Sequence, residues 1–256
     1  MRTHIVLAHP EEKSFNAQLA ATSRQVAAEN GGKVTYSDLY AMNFDPCEGG
    51  RHYSIRKDWE VFHTQTEQRH SVDNNRIPKE IEAEIENLLS CDLLIVHFPF
   101  WWFGMPAILK GWMDRVFVYG KMYRSAMRYD KGICVGKNMI ACVTTGAGDA
   151  SCAYNGKEGD INLHMWPILF PFRYLGFGVY QPHIFHGVGG VYFIEGKEGG
   201  LNTLEIFSNQ WRETLGSLDS RPQIQYNHDD DFPDNKSLRP DAVVYSPFVR
   251  QNPDLD

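Results

Sequence analysis

"DLLIVHFPFWWFGMPAILKGW", residues 92–112, decides how this chain is organised. The apolar run 92–97 has the length and composition of a buried strand. It empties into five aromatic residues within six positions, 98–103. Gly104 and Pro106 follow, and an apolar pattern at helical spacing covers 105–120. Pro99 and Pro106 stiffen the two ends of the loop, and Gly104 permits close backbone approach. Trp101, Trp102 and Phe103 in succession cannot all point inward. At least one must face solvent, a ligand or another subunit.

The same strand–loop–helix rhythm extends in both directions. Strands are predicted at 3–8, 33–39, 137–146 and 179–188, with helices at 14–30, 77–90, 160–176 and 200–216. Residues 45–78 read as a long polar, irregular excursion. Five strands alternating with helices predict an α/β fold, a doubly wound parallel sheet with helices on both faces. Ligands of such sheets sit beyond the carboxyl ends of the strands. Three strands here end in loops with chemistry: "HPEEKSFN" after the first, "FPFWWFG" after the third and "TTGAGDA" after the fourth. The fold therefore brings these three loops to one rim. We divide the chain into a domain over 1–219 and a Pro- and Asp-rich extension over 220–256, read as an arm laid over a surface.

Composition narrows the function. The 256 residues are 43% hydrophobic and 13% aromatic, enough for one sizeable core, and the net charge of −7 argues against a nucleic-acid partner. No run is long and apolar enough to span a membrane. No export signal is evident at the start, so a cytoplasmic location is expected. Of five cysteines, 91, 134 and 142 sit in apolar runs and read as core; Cys152 lies in the polar, Gly-rich third loop and reads as an idle thiol. No metal-ligand spacing occurs, and "HDDDFPD" (228–234) reads as a solvated acidic turn.

In the first loop His9 is followed by Ser14, Phe15 and Asn16 at a helix start, where free N–H groups and the helix dipole suit a phosphate. An ordinary capped helix with a loop histidine would look the same. The aromatic turn suits a planar tricyclic ring. The third loop, with Thr144, Thr145, Gly146 and Ala147, offers hydroxyls and N–H groups for the polar edge of such a ring.

"LAHPEEKSFN", "DLYAMNF", "FPFWWFGMPAILKGW", "YDKG" and "TTG…NGKEGDIN…WPI" occur in order, and together they resemble the NAD(P)H:quinone oxidoreductase (DT-diaphorase) family of flavodoxin-like flavoproteins. The resemblance covers roughly residues 3–215. It implies a homodimer with each active site at the subunit interface and a bound flavin, FAD, with the diphosphate near His9, Phe15 and Asn16. The ring would lie along Pro99, Phe100, Trp101, Trp102 and Phe103 and against Thr144–Ala147. Hydride would pass from NAD(P)H to flavin N5 and on to a quinone in the same slot, a two-electron ping-pong scheme. Tyr123 matches a tyrosine that closes over the pocket from the partner, and Ser125 replaces a second one. Cys152 and Glu158 stand where the family has a tyrosine and a histidine, which leaves Tyr154, or more weakly His164, as the local proton donor. No arginine in 200–210 matches the adenine-side contact, so FMN stays an alternative to FAD. Two other readings stay open: an azo- or nitro-reductase, and a flavin-binding electron carrier with a protein partner.

Overall fold

The computed structural model describes residues 1–189 and 196–251. Its centre is a parallel sheet built from β1 (Arg2–Leu7), β2 (Lys33–Asp38), β3 (Leu93–Pro99), β4 (Asn138–Thr144) and β5 (Gly178–Val179), in the order β2-β1-β3-β4-β5. This is the doubly wound order expected from the sequence. It reverses between β1 and β3, which opens a crevice at the carboxyl ends of these strands. Register fixes what meets there: Leu7 pairs with His97, and Pro99 pairs with Thr144. The three chemically loaded loops thus leave the sheet side by side.

The two-residue period of the strands divides the core between the faces. Ile5, Leu7, Leu93, Ile95, Ile140 and Cys142 share one cluster with Leu19 and Trp211. These last two belong to α1 (Phe15–Glu29) and α6 (Gly196–Gly216). Val6, Leu94, Val96, Met139, Ala141 and Val143 belong to the other cluster. That face is covered by α3 (Lys79–Ser90), α4 (Ala107–Val116) and α5 (Ile161–Tyr174). Glu84 of α3 is buried and accepts from Ser37 Oγ at 2.7 Å and Trp112 Nε1 at 2.8 Å, tying β2, α3 and α4 together. On the opposite face Trp211 Nε1 donates to Ser23 Oγ at 2.7 Å, and Ser23 Oγ lies 2.9 Å from His97 Nε2.

Two regions and one cysteine depart from the sequence expectation. The excursion 45–78 contains a helix, α2 (Thr64–Asp73). It has no apolar stripe because it buries polar side chains: Glu67 accepts from the backbone N–H groups of Lys57 and Asp58, and Gln68 Oε1 accepts from Tyr119 N. The expected fifth strand is split into β5 and β6 (His183–Phe185), both parallel to β4. Pro182 stands between them and has no N–H for a ladder. The Arg221 guanidinium satisfies the interruption, donating to Gln181 O at 2.7 Å and Pro182 O at 2.8 Å.

The extension that follows packs on its own chain. Gln181 N donates to Pro222 O and Ile224 N to Val179 O, laying residues 222–224 along β5. Further on, Phe248 stacks on Trp166 of α5 with centroids 4.8 Å apart. The fourth cysteine of the core was not foreseen: Cys152 is 4% exposed beneath its loop, and burial pushes its thiol up. Cys91, Cys134 and Cys142 are buried as expected.

Candidate functional site

Thr144, the last residue of β4, joins the three loops. Its hydroxyl accepts from Asn16 Nδ2 over 2.7 Å, and its carbonyl accepts from Phe100 N at 2.7 Å. A third tie connects the first and second loops, with the rings of His9 and Trp101 centred 5.7 Å apart.

In the first loop, Ser14 caps α1 by accepting from Ala17 N at 3.2 Å, and no acidic residue occupies the first helical turn. The only carboxylate held at this end by a hydrogen bond among the described residues is that of Glu11, which accepts from Lys13 N ahead of the cap. Phe15 and Asn16 are buried. The His9 Nδ1 accepts from Glu11 N at 3.0 Å, which assigns the proton of the neutral ring to Nε2. Burial lowers the pKa of this imidazole, so the neutral donor form is favoured.

The aromatic loop closes on itself. Trp101 and Gly104 exchange two backbone hydrogen bonds of 3.0 Å, with φ of +50° at Trp102 and +59° at Phe103. Two successive positive φ values define a type I′ turn, a conformation that favours Asn and Gly and costs bulky residues on the order of 1–2 kcal/mol each. The turn presents what it would otherwise bury: Trp102 is 95% exposed and Phe103 51%. Pro99 ends β3 inside the sheet, and Phe100 is half-buried against Phe103 and His164, at 6.3 and 5.8 Å between centroids.

The third loop supplies unengaged donors. Thr145 N donates to Phe185 O, but the backbone N–H groups of Gly146, Ala147 and Gly148 donate to no acceptor among the described residues. A Cβ at Gly146 or Gly148 would meet nothing within 4 Å among the described residues, so the loop is uncrowded on that side. Behind the loop Thr145 Oγ1 donates to Ala147 O at 2.7 Å and lies 3.1 Å from His186 Nδ1. His186 was missed in the sequence. It reaches the loop only because β6 is parallel to β4, and the splitting of the fifth strand hid that register.

The remaining candidates are more dispersed. Tyr154 is 84% exposed. Glu158 is half-buried, and its carbonyl accepts from His164 Nε2 at 3.1 Å. His164 packs on Phe103 at 5.3 Å, which brings this imidazole to the aromatic turn. Tyr123 and Ser125 are not brought to the loops of their own chain. Tyr123 lines a separate cleft with Gln65, Phe117 and Tyr174, and its hydroxyl accepts from Gln65 Nε2 at 3.1 Å. Ser125 is exposed.

This strand order, with three loops at the switch point, defines a flavodoxin-like protein, and residues 1–201 match a family described by a flavodoxin-like fold. Rat NAD(P)H dehydrogenase (quinone) 1 is 38% identical over 190 residues, 73% of this chain and 69% of the relative. Human ribosyldihydronicotinamide dehydrogenase (quinone) is 36% identical over 182 residues, 70% of this chain and 79% of the relative. A putative quinone reductase from Klebsiella pneumoniae superposes with a TM-score of 0.83 at 28% identity, covering 94% of each chain. The chain belongs to the NAD(P)H:quinone oxidoreductase family.

Proposed function

We propose that this chain is a flavin-dependent NAD(P)H:quinone oxidoreductase that works as a cytoplasmic homodimer, with FAD as its flavin. The observation that carries the reading is the junction at Thr144, where a capped helix start, an exposed aromatic turn and three unengaged amides share one rim. A flavin fits the chemistry of this donor set. The start of α1 carries no acidic residue in its first turn, and the 146–148 amides have no acceptor among the described residues, so both ends offer donors to the oxygens of a flavin nucleotide.

When bound, the flavin supplies a ring that accepts hydride from NAD(P)H and delivers it to a quinone. The chain's own residues bind and orient. His9, through Nε2, and the start of α1, with Ser14, Phe15 and Asn16, hold phosphate oxygens. Trp101, Trp102 and Phe103 offer ring faces worth on the order of 0.5–1.5 kcal/mol per stacked pair and keep water from one side. The amides at 146–148 donate to oxygens of the ring's polar edge, with Thr145 shaping the turn. A turn that covered one face of the ring would leave the other to nucleotide and quinone in turn, as a ping-pong scheme requires.

Solvent or Tyr154 would supply the proton to the acceptor. The Glu158 carboxylate would oppose negative charge developing on the ring, because like charges repel, while its backbone carbonyl accepts from His164 Nε2. The placement of Tyr123 outside the loop cluster supports the homodimer, since only a second copy could bring it over an acceptor.

The visible spectrum of the purified protein, with mass identification of the released chromophore, tests the reading. FAD or FMN is expected, with parallel double-reciprocal lines when quinone and NAD(P)H are varied. A preparation that stays colourless with both nucleotides would overturn it. Comparison of kcat/KM for quinone, azo and nitro acceptors assigns the acceptor class.

A further inference from the structure

The turn after β4 is gripped by the chain that leaves β6. Thr145 N donates to Phe185 O, Val188 N donates to Thr145 O and Gly187 N donates to Ala147 O, each at 2.9 Å. The peptide bonds are trans, so the N–H of each unit points opposite to its carbonyl. The Thr145 carbonyl faces Val188, which aims the Gly146 N–H away from β6. The Ala147 carbonyl faces Gly187, which aims the Gly148 N–H away likewise. Both N–H groups lack an acceptor among the described residues.

One side chain joins this grip. The imidazole of His186 is mostly buried, with Nδ1 3.1 Å from Thr145 Oγ1. That hydroxyl donates to Ala147 O at 2.7 Å. A hydroxyl has a single proton. With it given to the carbonyl, the contact to the imidazole requires a proton on Nδ1. A relay therefore runs from the imidazole N–H through the hydroxyl to the Ala147 carbonyl, and the other end of that peptide unit is the Gly148 N–H. Donors acting on a carbonyl polarise its peptide unit and strengthen the N–H as a donor in turn. The Asp149 carboxylate stands 3.6 Å from His186 Nε2 but is almost fully exposed, so solvent screens that pair.

We propose that His186 is a positioning residue: acting through Thr145, it aims and strengthens the Gly148 N–H as a donor to negative charge gathering on the polar edge of the flavin ring. A donor fixed in advance stabilises such charge without reorganisation. The inference rests on the flavin reading and deepens it.

Two measurements on the full chain test it. Before flavin is added, 15N spectra should show the proton of His186 on Nδ1. In the same state His186→Phe should shift the Gly148 amide resonance and speed hydrogen exchange at Val188 about tenfold, with Ile95 unchanged. His186→Asn, whose side-chain amide returns an N–H near the Nδ1 position, should restore both. With flavin bound, His186→Phe should lower the midpoint potential by about 30 mV, a tenfold loss of preference for the reduced ring in a two-electron couple. Thr145→Val, which cuts the relay one step later, should do the same, and His186→Asn should recover most of the fall. A proton on Nε2 alone overturns the proposal. So does a potential unmoved by His186→Phe and Thr145→Val, or one that falls as far in His186→Asn, which would make the imidazole a packing element. A chain that takes up neither flavin nucleotide overturns the functional reading and this inference together, whereas a flavin-loaded protein with an unmoved potential overturns this inference alone.

Discussion

The side-chain amide of Asn16, in the first turn of α1, donates to the hydroxyl of Thr144, the last residue of β4, across 2.7 Å in the interior. One short bond thus holds the phosphate end of the proposed flavin site against its ring end. Asn16→Ala removes it and leaves the hydroxyl to find another partner. Stability should fall by about 1–2 kcal/mol, read from urea unfolding. Flavin affinity should fall about tenfold or more, read by fluorescence as the flavin is titrated back.

The type I′ turn at 101–104 sets ring exposure against backbone ease. Trp102→Asn keeps a residue that tolerates positive φ while removing an indole that is 95% exposed. The melting temperature should hold or rise by a few degrees, corresponding to about 0.5–1 kcal/mol of relieved strain. kcat/KM for quinone reduction should drop about tenfold. A variant that loses stability and activity together would mean that the indole is a packing residue.

Buried His97 and half-buried His183 predict acid sensitivity. Burial pushes His97 down to about 3 and His183 to about 4. In the unfolded chain both return to about 6.5. As the pH falls below that value the unfolded state takes up protons first, so stability is flat above about 6.5 and declines below it. For fully buried His97 the loss between pH 6.5 and 4 is on the order of 3 kcal/mol. Urea midpoints across this range check it, and His97→Gln should flatten the slope.

Arg221 holds two carbonyls that the broken strand leaves over. Arg221→Ala should cost about 1–3 kcal/mol by stranding them. Faster hydrogen exchange should appear at Ile224 and Gln181, with that at Ile95 unchanged.

Glu158→Gln removes a negative charge from the loop facing the proposed ring. Reduction by NAD(P)H should accelerate a few-fold, corresponding to about 1 kcal/mol of relieved repulsion, measured by stopped-flow at constant pH. A slower rate would show that the carboxylate assists rather than opposes.

Much of this was legible in the residues because apolar periodicity and loop chemistry are local signals. The strands through β4, the doubly wound class of the sheet and the meeting of His9, Trp101 and Thr144 at one rim all follow from segment order and right-handed crossovers. What escaped reading depends on distant partners. Helix α2 is built from "TQTEQRHSVD", whose buried face is polar because Glu67 and Gln68 cap backbone elsewhere. His186 becomes a neighbour of Thr145 only through a strand pairing that starts afresh after Pro182. Cys152 lies in a run of small and polar residues yet sinks into the core, since the 3₁₀ turn at Asp149–Cys152 rotates it inward.

Residues 222–224, fastened along β5, also govern how molecules meet one another. A sheet flank with a vacant row of amides and carbonyls is a template on which a stray chain can grow. The strap fills part of that row, leaving the β2 flank as the other, where Lys33 and Thr35 alternate outward as polar residues. Trimming the chain after Ser217 would bare the strap's row and should increase clumping on concentration.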